Sequence, residues 1–166
     1  TVGGTVSVKA NGNYVAGLVG FNKGTIDNCT TNVNVTRDST STSAYTGGIT
    51  GQNNGTIIRC YNGGAVKGVI AGGIAGYQSE ATSSISGCYN AGAISCPQGN
   101  LASGTGGIVG KTNKTGYVYN CINAGVIESE STLAANSYVG GIVGRTTKNT
   151  ATPTAAFFNN LRSEER

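Results

Sequence analysis

The stretch Gly72-Gly73-Ile74-Ala75-Gly76 decides the fold, because variants of it occur four more times along the chain. The other copies are Ala16–Gly20, Gly47–Gly51, Gly106–Gly110 and Gly140–Gly144. Their central residues lie at positions 18, 49, 74, 108 and 142, so the steps between copies are 31, 25, 34 and 34 residues. Recurrence with a period of about 20–50 residues is typical of solenoids and related repeat architectures.

A second phrase, Gly-Thr-Ile-x-x-Cys-Tyr-Asn-x-Gly-x-Val, follows the first and is clearest at Gly55–Val66. Four repeats carry a β-branched residue six places after the cysteine: Val35, Val66, Ile94 and Ile127. The interval between the first phrase and the cysteine varies, which predicts insertions at 21–23, 77–83 and 111–115. Further insertions are predicted after the last strand of a repeat, at 37–44 and 97–105. Constant blocks separated by variable polar stretches indicate strands joined by loops.

Together the two phrases predict three short strands per repeat, carrying Gly-Gly-Ile-x-Gly, Thr-Ile and Gly-x-Val. No segment has the apolar period of a helix. Like residues in register predict an all-β fold, a parallel β-helix (β-solenoid) of about five rungs. Residues 1–166 then form a single solenoid domain, with repeats near 12–36, 45–67, 70–95, 104–128 and 138–161. A β-propeller is the alternative, but its blades need about 40–50 residues.

Both ends of the chain extend this pattern. Residues 1–6 read as the second half of a repeat, so we expect the chain to be a piece of a longer protein. The tail is predicted to begin a sixth second phrase, with Phe157 or Phe158 in place of the isoleucine and Asn160 in place of the cysteine.

We expect the apolar positions to stack into buried columns, because a single repeat cannot bury its apolar side whereas stacked neighbours can. The central residues of the first phrase form one column: Leu18, Ile49, Ile74, Ile108 and Ile142. The apolar residues of the second phrase form another: Ile26, Ile57, Ile85 and Val118. The β-branched residues after the cysteines form a third.

Four cysteines share one repeat position and are predicted to stack: Cys29, Cys60, Cys88 and Cys121. Their separations of 31, 28 and 33 residues are unlike the close pairs of zinc sites. We expect a column of small buried thiols. Disulfides between adjacent rungs are the alternative, because the rung spacing falls within the permitted Cα distance. The fifth cysteine, Cys96, lies beside Pro97 at a predicted loop, where an exposed reactive thiol is the alternative to burial.

Asparagine recurs two places after the cysteine, at Asn62, Asn90 and Asn123, with Thr31 at this position in the first rung. Stacked amides can hydrogen-bond along such a column and satisfy the backbone of a turn. We therefore predict a structural asparagine column, with a polar ligand groove as the alternative.

Two sets of tyrosines also share repeat positions. One set is Tyr61 and Tyr89, and the other is Tyr14, Tyr45 and Tyr138. Aromatic rows on a sheet are consistent with packing or with binding a sugar. Tyr61 and Tyr89 are the candidate ligand face.

The composition argues against several classes of function. The chain has 166 residues, a net charge of +4 and no histidine, the commonest general base and metal ligand. Its seven carboxylates do not recur in register. It has no P-loop ending and no repeated calcium motif. We therefore expect no catalytic residue, no metal and no cofactor. Scattered charges disfavour nucleic acid, and no apolar run is long enough to span a membrane.

Gly17-Leu18-Val19-Gly20 and the later Gly-Ile-x-Gly copies resemble the GLUG motif, and the Cys-Tyr-Asn-x-Gly phrase is similar to its usual companion. The resemblance covers nearly all of residues 12–144. GLUG repeats occur in large secreted or surface-bound bacterial proteins, including IgA-specific metallopeptidases and haemagglutinin-like adhesins. The resemblance implies an extracellular or cell-surface repeat region with flanking domains, and it does not imply catalysis.

We expect a non-catalytic scaffold, spacer or adhesin segment. One alternative is a binding module for a host glycan or glycoprotein, with the loops at 37–46 and 95–105 carrying the contact. Another is the substrate-recognition region of a large surface protease. An enzyme of the β-helix lyase or hydrolase type is a third alternative.

Overall fold

The computed structural model describes residues 1–9, 12–38, 41, 43–97, 104–113, 116–129, 138–147, 157–158 and 161–162. Within these residues the chain contains short β-strands and no helix. Every strand pairs in parallel with its counterpart in the neighbouring rung. The predicted parallel β-helix is therefore confirmed.

The described strands form four sheets that run along the solenoid axis. The first sheet contains β2 (Tyr14–Ala16), β6 (Tyr45–Gly47), β11 (Ile70–Gly72), β16 (Gly104–Gly106) and β21 (Val139–Gly140). The second contains β3 (Val19–Asn22), β7 (Thr50–Asn53), β12 (Ala75–Gln78), β17 (Val109–Asn113) and β22 (Val143–Thr147). The third contains β4 (Thr25–Asp27), β8 (Thr56–Ile58), β13 (Ser84–Ser86), β18 (Tyr117–Tyr119) and β23 (Phe157–Phe158).

The fourth sheet receives two strands from most rungs. Its strands are β1 (Val2–Val8), β5 (Thr30–Arg37), β9 (Tyr61–Asn62), β10 (Val66–Lys67), β14 (Tyr89–Asn90), β15 (Ile94–Cys96), β19 (Ile122–Asn123), β20 (Ile127–Ser129) and β24 (Leu161–Arg162). The long strand β5 spans both positions, pairing with β9 and β10 on one side and with β1 on the other.

The structure divides each rung more finely than the sequence predicts. The first phrase supplies two strands, one that ends at its first residue and one that begins after its central isoleucine or leucine, and the second phrase supplies the remaining short strands. Three predicted insertions were wrong in part, because β3, β12 and β17 continue into 21–23, 77–83 and 111–115. The pairing of β17 with β22 extends as far as Asn113. The sequence did not predict these extensions of the strands, because their side chains are polar and the strand predictions rested on apolar residues.

The tail adds a partial rung in the predicted phase. Phe157 aligns with Val118, which occupies the isoleucine position of the second phrase. Leu161 aligns with Ile122 in the fourth sheet. Asn160, predicted to replace the cysteine, lies outside the described residues.

The apolar columns lie inside the solenoid. Ile49, Ile74 and Ile108 are fully buried, while Leu18 and Ile142 pack against the same core and are partly buried. The second-phrase column and the cysteines belong to this core as well. Burying a side chain of this size contributes about 1.5–3 kcal/mol relative to leaving it exposed. The first-phrase, second-phrase and stacked-cysteine columns therefore share one apolar core, while the third column is divided between two further clusters, one with Val35 and one with Val66 and Ile94.

A left-handed bend precedes each stacked cysteine and turns the chain from the third sheet into the fourth. The residues at this position are Asn28, Arg59, Gly87 and Asn120, with φ values of 53°, 51°, 59° and 53°. Glycine adopts this conformation freely, and asparagine tolerates it better than most other residues do. The bend explains why the residue before the cysteine varies in charge and size but is never β-branched.

We expect Gly87→Ala to lower the free energy of unfolding by about 1 kcal/mol, because an L side chain at φ 59° is strained. A Cβ there would meet no atom nearer than 3.7 Å, so the cost is conformational rather than steric. Urea unfolding measures it. Gly87→Asn is the matched control and should lose less, and a Gly87→Ala protein as stable as the parent would contradict this reading of the bend.

Candidate functional site

The asparagine column forms a hydrogen-bonded ladder in the interior of the solenoid. The Nδ2 of Asn62 donates to Oδ1 of Asn90 at 2.8 Å, and Nδ2 of Asn90 donates to Oδ1 of Asn123 at 2.8 Å. All three side chains are fully buried. Each amide also closes the turn that follows it. Asn62, for example, donates to the carbonyl of Gly64 at 2.8 Å and accepts from its N–H at 3.3 Å. The amides thus join the rungs and satisfy the turns.

The second glycine of each first phrase lies directly against this ladder. A Cβ on Gly73 would come within 2.3 Å of the Asn90 Cγ and 2.3 Å of the Gly107 carbonyl oxygen. Gly48 and Gly107 have the same relation to Asn62 and Asn123. The recurrence of glycine at this place in the repeat therefore follows from the recurrence of asparagine on the facing sheet.

A second amide ladder, which the sequence reasoning missed, lies at the ends of the strands of the second sheet. The Nδ2 of Asn22 donates to Oδ1 of Asn53 at 2.8 Å. Asn53 in turn bonds both the carbonyl and the N–H of Gly55. In the next rung Gln78 takes this position and donates to the carbonyls of Ser83 and Tyr117.

The signal for this second ladder was present in the sequence. Asn22-Lys23-Gly24 and Asn53-Asn54-Gly55 share the spacing Asn-x-Gly with Asn62-Gly63-Gly64. That spacing lets one amide close a turn around the intervening residue. Because Asn22 lies in a segment predicted to be an insertion, the sequence analysis predicts no amide ladder there.

The stacked cysteines form a column of free thiols, and disulfides between rungs are absent among them. The Sγ of Cys60 donates to the carbonyl of Ile58 at 3.2 Å, and the Sγ of Cys88 to that of Ser86 at 3.3 Å. Hydrogen bonds with Cys121 and Cys60, together with burial, raise the pKa of the Cys88 thiol. The protonated Cys88 thiol is therefore a poor nucleophile and a poor metal ligand. Hydrogen bonding with Cys88 has the opposite effect on its neighbours, lowering the pKa of Cys60 to about 7 and lowering that of Cys121.

Cys96 is buried as well, with 1% of its surface exposed. Burial raises the pKa of its thiol. The alternative of an exposed, reactive thiol at this position was therefore wrong.

The candidate ligand face consists of two rings. Tyr61 and Tyr89 stack with centroids 5.6 Å apart and an interplanar angle of 8°. Thr30 and Ile122 occupy the same position in the rungs on either side. The pair is therefore a short stack of two rings on the fourth sheet.

A longer row of rings, here called the aromatic ladder, consists of Phe21, Tyr14, Tyr45 and Tyr77. Successive ring centroids lie 5.4, 6.0 and 4.5 Å apart. The first and second sheets contribute two rings each. Burial raises the pKa values of Tyr45 and Tyr77, which keeps both phenols neutral. The sequence reasoning had grouped Tyr14 and Tyr45 with Tyr138 but had assigned Phe21 and Tyr77 to loops.

Three cations lie over aromatic rings along this row. The Nζ of Lys23 lies 5.3 Å from the Phe21 ring centroid, and the Nζ of Lys111 lies 5.2 Å from that of Tyr77. In a further rung, Cζ of Arg145 lies 4.6 Å from the Tyr138 ring centroid. Cation–π contacts of this kind hold a charge in place at the surface.

The described carboxylates do not converge on a common centre. Asp27 pairs across one rung with Arg59, and both side chains are largely exposed. Within the described ranges, no three histidine, cysteine or acidic side chains are grouped as metal ligands. The same part of the chain contains no helix long and apolar enough to cross a lipid bilayer.

Comparison of the chain with protein-family models, with curated proteins and with solved structures gives no match.

We expect Asn90→Ala to lower the free energy of unfolding by about 3 kcal/mol, because it leaves buried polar partners unsatisfied on both adjoining rungs. Urea unfolding measures the loss. The exposed Asn32→Ala is the control and should change stability by less than about 0.5 kcal/mol. Similar decreases in the free energy of unfolding of the two variants would show that the asparagine ladder does not contribute this stability.

We expect Cys60→Ser to lower the free energy of unfolding by about 1–3 kcal/mol, because it places a hydroxyl in an apolar column. Cys29→Ser changes the same repeat position where the side chain is only half-buried, so its loss should be smaller. Thermal melting of both variants provides the comparison, and an unchanged melting curve for Cys60→Ser would contradict the buried column.

Proposed function

We propose that this chain is a non-catalytic β-solenoid scaffold that serves as a rigid spacer or adhesin segment of a bacterial extracellular protein. The proposal rests on the hydrogen bonds that the recurring polar residues make. The repeated asparagines bond one another from rung to rung, and the thiols of Cys60 and Cys121 also reach carbonyls of the preceding rung, those of Ile26 and Ile85, at 3.7 Å. The side chains that recur therefore hold the rungs together along the axis.

Cohesion along the axis is the property that a spacer needs. Parallel backbone pairing already joins each rung to the next in all four sheets. The buried amide ladders add bonds in the same direction inside the solenoid. Because a low-dielectric interior strengthens such bonds, the ladders resist separation of the rungs.

The extracellular setting and the GLUG assignment belong to this proposal and rest on the resemblance of the repeated phrases. The proposal includes flanking domains of the same polypeptide, which the spacer would hold apart. A binding module for a host glycan or glycoprotein is the second candidate. The aromatic ladder and its cations favour it, because they form a row of exposed and half-buried rings along one side of the solenoid.

Force spectroscopy on the whole chain, held at its two ends, tests the spacer. We expect stepwise unfolding in which a rung of about 30 residues releases roughly 100 Å of chain. Asn90→Ala should lower the unfolding force and Asn32→Ala should not. Extension without discrete force peaks, or an Asn90→Ala protein that unfolds at the same force as the parent, would contradict the proposed rigid spacer.

A further inference from the structure

Two cations without carboxylate partners meet at one end of the aromatic ladder. Lys111 and Arg145 are 34 positions apart in the sequence, yet they occupy directly paired positions on β17 and β22. Adjacent strands lie about 4.8 Å apart, so the two side chains leave neighbouring points of the surface. Among the described residues, the ion pair of Asp27 with Arg59 is elsewhere, and neither Lys111 nor Arg145 contacts a carboxylate.

The backbone around these cations explains their position. The first-sheet position that carries Tyr14, Tyr45 and Ile70 is glycine at 104. The Arg145 Cβ lies 3.5 Å from where a Gly104 Cβ would be. The first-sheet strand of the fourth rung therefore has no ring in the row, and the Arg145 side chain starts beside the bare backbone of Gly104 instead.

Each of the two like charges lies over an aromatic ring rather than beside an opposite charge. Lys111 lies over Tyr77, and Arg145 lies over Tyr138. Burial and the charge of Arg145 lower the pKa of Lys111. An anion placed between the two cations would relieve this repulsion. The carboxylate of Glu80 accepts a hydrogen bond from Nδ2 of Asn54 at 3.3 Å and forms no ion pair with Lys111.

We propose that Lys111, Arg145 and Tyr138 form a binding site for the anionic groups of a linear acidic polysaccharide. This goes beyond the spacer, because it gives one side of the solenoid a ligand. The carboxylate of a uronic acid and the sulfate of a sulfated sugar offer the same chemistry, that of an oxyanion that accepts charge-assisted hydrogen bonds.

The surroundings of the site favour a polysaccharide over a peptide strand. The backbone of β17 is already paired on both sides, with β12 and with β22, so an incoming peptide could not pair with the strand that carries Lys111. Arg145 lies on β22, the last strand of this sheet among the described residues, and binding of poly-glutamate tests for a peptide there. Stacking and cation contacts occupy ring faces in the aromatic ladder, which disfavours neutral sugars that bind by stacking. A ligand instead meets the two charges of Lys111 and Arg145 in register along the axis, which suits a linear chain that bears anions.

Binding of the whole chain to dextran sulfate, polygalacturonate and neutral dextran, measured by calorimetry at about 0.05 M and about 0.5 M salt, tests the proposal. We expect one or both acidic polymers to bind, with affinity falling at high salt, and neutral dextran not to bind. The polymer that binds more tightly identifies sulfate or carboxylate as the preferred anion.

The double variant Lys111→Gln/Arg145→Gln should weaken binding about tenfold, because it removes both charge-assisted contacts. The control Lys9→Gln/Lys67→Gln removes the same total charge away from the site and should weaken binding less than about twofold. Melting curves of both variants should match the parent, since both changes are at exposed or half-buried positions.

Three outcomes would overturn the proposal. Absence of binding to both acidic polymers would do so, as would equal losses in the two double variants. Tighter binding to poly-glutamate or to phosphatidylserine vesicles than to either polysaccharide would assign the site to a peptide or a membrane surface instead.

Discussion

The contact between a buried asparagine and a glycine backbone is the constraint on which the rest of the rung depends. Asn90 can reach Asn123 above it only because Gly73, on the facing sheet, has no side chain. The same amide closes the turn at Gly92, which sets the start of the next strand of the fourth sheet. One side chain therefore fixes the spacing between rungs, the separation of two sheets and the turn between two strands. Both repeated phrases are needed for it, because one supplies the glycine and the other the asparagine.

Recurring and varying residues also differ in whether they contribute to the interior or to the surface. The recurring residues face inward, where amides, thiols and isoleucines are held in columns by packing. Some varying positions are buried too, such as the paired Thr46 and Ala71. At the surface, variation from rung to rung brings together side chains with different neighbours along the axis. The aromatic ladder changes into the pair Lys111 and Arg145 within a few rungs. A regular core thus supports a surface whose chemistry changes along its length.

The sequence predicted the fold and the inward columns because both depend on residues that recur. Phased Gly-Gly-Ile and Cys-x-Asn phrases were enough to predict parallel stacking. The aromatic ladder could not be predicted from the sequence, because Tyr45 and Tyr77 lie on different sheets and do not share a repeat position. Predicting that Lys111 and Arg145 are neighbours likewise requires knowledge of the register between β17 and β22. The second amide ladder was within reach, because Asn22 and Asn53 carry the same Asn-x-Gly spacing as Asn62.

The direction of the ladder bonds makes the solenoid axis polar. In both amide ladders the donor points toward the following rung, from Asn22 to Asn53 and from Asn62 to Asn90. The side-chain dipoles therefore add head to tail, as peptide dipoles do in a helix. A rung that continues the ladder of Asn62 and Asn90 must present an oxygen to the nitrogen before it. In the second ladder the amide bond stops at Asn53, whose Nδ2 donates to the carbonyls of Gly55 and Ser84 instead of to Gln78. Two such solenoids could join end to end only in the same orientation, since the opposite arrangement would set donor against donor.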